Sequence, residues 1–135
     1  MDRIWLFITT SLHYLAIIPL LLPYKKNYKI LPFFNRLYAT TIFIGASLSL
    51  LYHYYHESII IMIVDYLFAG IWVILDILWE FLLNIKIIKY MNIGIFILNI
   101  IFNNYSNYVY YHSIWHVLSA IKCVIVSSLI YYYDY

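Results

Sequence analysis

Charge is what this sequence has least of. Only 10% of its 135 residues are charged, while 66% are hydrophobic and 21% aromatic. A soluble domain of this length buries only roughly two thirds of the surface its chain exposes, too little to hide so apolar a composition. A soluble globular fold is therefore disfavoured, and an all-α, multi-pass transmembrane bundle is expected. The net charge of +2 comes from scattered lysines and arginines and not from a basic stripe, which argues for no nucleic acid among its partners. Three glycines cannot build a phosphate-cradling loop. The single cysteine, Cys123, lies in an apolar run, forms no intrachain disulfide and is silent about redox compartment. Internal repeats and linker-like segments are also lacking, so 1–135 reads as a single transmembrane domain.

What is there is a series of apolar runs. Ile4 to Leu22 is nearly long enough to cross a hydrocarbon core of about 30 Å. No small-residue cleavage site follows it, so it reads as a retained span with Pro19 near its end. The stretch "PYKKNYKILPFFNRL" carries two prolines with Lys25, Lys26, Lys29 and Arg36 and reads as the most basic loop. Further spans are expected at 37–55, 59–79, 87–102 and 108–132, with Glu57 in the first turn of the third. Glu80, Lys86 and Lys89 mark the third loop. The fourth span is the weakest, interrupted by Lys89, Asn92 and Asn99. With five spans, both basic loops fall on the cytoplasmic side, the N-terminus is non-cytoplasmic and the C-terminus cytoplasmic. The tyrosine clusters, including the terminal "YYYDY", suit interfacial belts.

This topology brings ionisable residues to one level. His53 lies at the outer end of the second span, with Ser49 one turn deeper. Asp65 is six residues into the third span, about 9 Å below its outer end. His112 and His116 are four and eight residues into the fifth. Facing agrees as well. Thr41, Gly45, Ser49 and His53 share one stripe, Asp65, Ala69, Trp72 and Asp76 a second, and His112, His116, Ser119 and Cys123 a third.

Two imidazoles at i and i+4 on one helix can both reach a single ion, and His53 adds a third nitrogen from another helix. That donor set suits Zn2+ held by His53, His112 and His116, the fourth position being left for water that the metal acidifies. Asp65 is then the general base or orienting partner, and Ser49 a hydrogen-bond donor to water or to a substrate carbonyl. A lone H-x-x-x-H pair more often just hydrogen-bonds a neighbouring helix; His53, Ser49 and Asp65 at matched depth and facing reverse that preference toward metal. His13 and His56 have no partner that spacing can name and are expected to be interface or core histidines. Asp76 and Lys122 both sit deeper. They suit either a buried ion pair or a lysine that snorkels along its own stem.

At these residues the chain resembles the CREST superfamily of membrane hydrolases, which includes alkaline ceramidases, progestin/adiponectin-type receptors and GPI-lipid remodelling proteins. The resemblance rests on "SLLYH" at Ser49 to His53, Asp65 early in the next helix, and "HSIWH" at His112 to His116, in that order. "YYHSIWHVLSA" and "DYLFAGIWV" look most like the myomaker branch. The resemblance covers about Leu37 to Ile130, with a gap in its middle. It implies a zinc site of three histidines with Ser49 and Asp65 around it, and cleavage of lipid amide or ester bonds, with membrane lipids as partners. In the myomaker branch the implied role is membrane fusion.

The chain departs from that pattern in length. The family has seven helices, three of them between the aspartate helix and the H-x-x-x-H helix, and here there is room for one. Removing two spans preserves parity, so the last helix still enters from the same side. The pocket wall is then thinner unless a second copy of the chain or a partner helix supplies the missing surface. Two functions follow as expectations: a reduced lipid hydrolase with an open metal position beside a lipid-sized cavity, or a non-catalytic remodelling or fusion factor with a closed, dry structural zinc. A small membrane protein without metal is the third and plainest reading.

Overall fold

A computed structural model describes residues 3–22, 31–55, 58–104 and 107–133. The described residues form an all-α fold of five helices, here α1 (Ile4–Leu21), α2 (Leu31–Tyr54), α3 (Ile59–Leu83), α4 (Ile87–Asn103) and α5 (Tyr108–Tyr133). Each helix packs on the next, and α5 returns to pack on α1, so the five close into a ring.

Three of them, α1, α3 and α5, are long and apolar enough to cross a membrane. α2 has the length, but its composition is diluted by polar residues that it turns inward, among them Asn35, Thr41 and His53, all buried. The outside is greasier than the inside. Only 11% of the most apolar stretch of α3 is buried within the protein, and Ile60, Leu67, Ile74 and Phe81 point outward. A bundle that hides Asp76 and shows Phe81 matches a lipid surround and not water.

Local chemistry explains where the helices break and bend. α1 tightens into a 3-10 stretch at Leu12–Ala16, immediately ahead of Pro19, whose ring displaces the carbonyl one turn back from a normal helical bond. α3 ends at Asn84, which adopts a left-handed conformation (φ 55°) while the Ile85 N–H bonds the Glu80 carbonyl. Asparagine is one of the few residues that accept such a cap.

The helices differ from the sequence expectation at two loops. α2 starts at Leu31 and not near Leu37, so the second half of the expected basic loop is helical; Pro32 is tolerated because a first-turn N–H has no intrahelical partner to lose. The third loop shrinks to 84–86, with Glu80 in α3 and Lys89 in α4. Lys25, Lys26, Lys29, His56, Glu57 and the last two residues of "YYYDY" lie outside the described residues.

The apolar core sits at one end of the ring. Leu20 of α1, Tyr38 and Ile42 of α2, Trp79 of α3, Ile88 of α4 and Val126 of α5 interlock there. α1, α3 and α5 finish at this end while α2 and α4 begin, as up-down connectivity requires. The opposite end is not filled by side chains. It holds a cavity of about 650 Å³ bordered by all five helices.

Candidate metal centre

His53 is in the last turn of α2, and His112 and His116 are one and two turns into α5. Because α2 runs up and α5 runs down, these ends meet. Each ring offers one ligand atom within 4.8 Å of the other two. His53 and His116 are 2% exposed and His112 is half-buried. The His53 and His116 Nε2 atoms are 3.1 Å apart. Two nitrogens bound at about 2.0–2.1 Å to one tetrahedral zinc would stand roughly 3.3 Å apart, so this spacing fits a shared ion with little movement. The Nδ1 atoms of all three rings are buried and have no hydrogen-bond partner among the described residues. A buried ring nitrogen without a partner carries a cost.

The rings are held by their aromatic neighbours. His112 stacks on Tyr108 and on Trp115, both at an interplanar angle of 19°. Trp115 is itself fixed by its indole N–H, which donates to the Ile95 carbonyl of α4 at 3.1 Å. Asp65 comes from α3 and Ser49 from α2. Both border the cavity along with His112 and His116. Ser49, Asp65, His112 and His116 therefore line one chamber, and His53 meets it through its contact with His116.

A fourth imidazole is present that spacing did not find. His13 of α1 is buried, and its ring meets that of His116 at 5.8 Å between centroids. Its Nδ1–H donates to the Thr10 carbonyl at 2.9 Å; a carbonyl only accepts, so Nε2 keeps its lone pair. Thr10 and His13, one turn apart and both bordering the cavity, are the sequence signal for this inward face.

Deeper in the chamber, Asp76 and Lys122 form an ion pair at 2.6 Å, which settles the choice between pairing and snorkelling. Tyr38 donates its hydroxyl to the other Asp76 oxygen, and the Trp72 indole N–H donates to Tyr38 at 3.1 Å. Lys122 also donates to the Asn92 side-chain oxygen at 3.1 Å. This network ties α2, α3, α4 and α5 together. Sequence reasoning missed Tyr38, counted as one of many tyrosines, and Asn92, read only as an interruption of its span.

No family model, curated protein or solved structure matches this chain.

Proposed function

We propose that this protein is a zinc-dependent membrane hydrolase of the CREST type, reduced to five helices, acting on lipid amide or ester bonds. The observation that carries the reading is the triad of His53, His112 and His116, two of which, His112 and His116, line a chamber of about 650 Å³ shared with Asp65 and Ser49. A structural clip would need the histidines alone, in a closed, dry setting. The chamber instead gives room for an acyl chain beside the rings, which favours the catalytic reading over the non-catalytic remodelling or fusion role of the myomaker type.

Zinc, when bound, supplies Lewis-acid activation of water and of the scissile carbonyl. The chain's own residues do the rest. Asp65 takes the proton of the attacking water and returns it to the leaving group. Ser49 has one hydroxyl proton, which it donates either to Asp65, orienting it, or to the substrate carbonyl. Trp72, Trp115 and Phe96 on the chamber wall hold the acyl chain and exclude bulk water.

The topology follows from the same reading. α2 and α4 cross with the other three, the N-terminus is non-cytoplasmic, the C-terminus is cytoplasmic, and the triad lies in the non-cytoplasmic half. The surface left by two fewer helices is covered by lipid, a second copy of the chain or a partner helix.

The test has two arms. Metal analysis of detergent-purified protein should find about one zinc per chain, lost in His112→Ala. Labelled ceramides and phospholipids should release fatty acid, and Asp65→Asn should slow that release about 10²–10⁴-fold while retaining zinc. Zinc without fatty-acid release across a broad lipid panel would leave the structural role standing instead.

A further inference from the structure

The chamber is walled by α1, α2 and α5 and open on the side of α3 and α4. Its lining residues from the first three helices are all buried or half-buried, among them Thr10, Gly45, Ala46, His116 and Ser119. Those from α3 and α4 differ. Tyr66, Val73 and Phe96 border the chamber yet are 58%, 43% and 64% exposed. Ala69 and Gly70 also border it and are exposed. Neither has a side chain long enough to reach from an outer surface to a separate inner one, so chamber and surface meet there. A Cβ on Gly70 would find nothing within 4 Å beyond its own helix backbone and chain neighbours. The slit closes at the inner end, where the turn at 84–86 joins the two helices and Leu75, Asp76, Trp79 and Ile88 are buried. It opens farther out. Gly70 is the twelfth of the 25 residues of α3, about 16 Å below the outer end of the helix. In a spanning α3 that depth is hydrocarbon.

We infer that this slit is a lateral entry, through which one acyl chain of a bilayer lipid slides between α3 and α4 into the chamber. The inference rests on the proposed function for α3 crossing the bilayer and for the fate of the ligand, but its test reads occupancy and not turnover. The rim residues Tyr66, Ala69, Gly70, Val73 and Phe96 offer an apolar edge. A void behind them would forfeit the dispersion contacts of its lining, and a chain drawn from the surrounding bilayer restores them. A helix of a second copy is about 10–12 Å across with its side chains. It could cover the slit but not fill the chamber; a single hydrocarbon chain is thin enough to do so. The ligand class that follows is a long-chain membrane lipid and not a short-chain, water-soluble ester.

The experiment uses the protein as purified, returned to phosphatidylcholine vesicles that contain a phosphatidylcholine with a photoactivatable diazirine midway along one acyl chain. Adducts are mapped residue by residue by mass spectrometry. They should form on Ser49, Trp115 and Ser119, which line the chamber on α2 and α5 across from the slit, as well as on outward residues such as Leu67 and Ile121 that any surrounding lipid touches. Gly70→Phe adds a ring where there is open space; it should cut the inner adducts about tenfold and leave the outer ones unchanged. Leu67→Phe, on the outward face of the same helix, should change neither set. Adducts confined to outward residues in the unmodified protein would overturn the inference. So would inner adducts that persist in both Gly70→Phe and Val73→Trp, or a rim free of adducts in protein that migrates as a dimer, which would give the slit to a second copy. Inner adducts in a protein that releases no fatty acid would refute the enzyme reading and keep this one.

Discussion

Removing both members of the Asp76–Lys122 pair should do no more harm than removing Lys122 alone. Asp76 is fully buried, with Tyr38 and Lys122 as its two donors. Lys122→Met leaves that carboxylate with the tyrosine alone, and an uncompensated buried charge costs roughly 3–5 kcal/mol. Asp76→Asn strands the ammonium less completely, because the Asn92 oxygen and the Trp72 ring, 5.4 Å from Nζ, remain; about 2–3 kcal/mol is expected. In the double mutant no charge is left. The new amide oxygen still accepts from Tyr38, and the methionine fills the lysine stem, so the loss should not exceed that of the worse single. The resulting coupling is about 2–3 kcal/mol. A hydrogen bond between membrane helices averages only about 0.6 kcal/mol, so a coupling of this size identifies an ion pair and not a neutral contact. The assay is reversible unfolding in mixed detergent micelles for the four proteins of the cycle. Losses that add to within about 0.5 kcal/mol would refute the pairing argument.

Gly45 faces Trp72, and a Cβ there would stand 3.6 Å from the indole, an ordinary contact. Gly45→Ala should therefore be nearly neutral, whereas Gly45→Leu should push Trp72 off Tyr38 and cost about 1–3 kcal/mol in the same unfolding assay. Trp115→Phe removes the donor to Ile95 and should cost about 0.5–1.5 kcal/mol in the same assay. α4 has 17 residues and spans about 25 Å, slightly less than a hydrocarbon core of about 30 Å. If it crosses, a maleimide added outside sealed vesicles should label only one of Asn84→Cys and Asn104→Cys, both exposed, while buried Cys123 stays unreactive. Labelling of both from one side would remove α4 from the membrane and reverse α5.

Helix placement was legible because apolar runs separated by short polar turns leave little choice in a chain this poor in charge. The exceptions have local causes. Pro32 and Arg36 look like loop residues, yet Pro32 occupies a first turn where its missing N–H costs nothing, and Arg36 projects outward from α2 while Asn35 beside it is buried. The triad was legible because two of its members share a helix at i and i+4 and the third ends a helix at the same depth. His13 was not, because α1 offers no second histidine to fix which way it faces; only packing on α5 and the tight turn at Leu12–Ala16 decide that. Asp76 and Lys122 could be placed at similar depth by counting, but counting along helices says nothing about which helices are neighbours around the ring.

The two buried polar clusters differ in a way that separates scaffold from site. In the inner network each charge is met: both Asp76 oxygens accept, Lys122 has two acceptors, and Tyr38 both donates and accepts. Such a network specifies how four helices meet and asks nothing of a ligand. The triad is the reverse. Three aromatic-clamped imidazoles crowd together with three buried nitrogens unmet, an arrangement that packing alone has no reason to stabilise. Its cost must be carried by the closed ring around it. The inner pair, by locking α3, α4 and α5 at the depth of Lys122, supplies the rigidity that keeps those rings together.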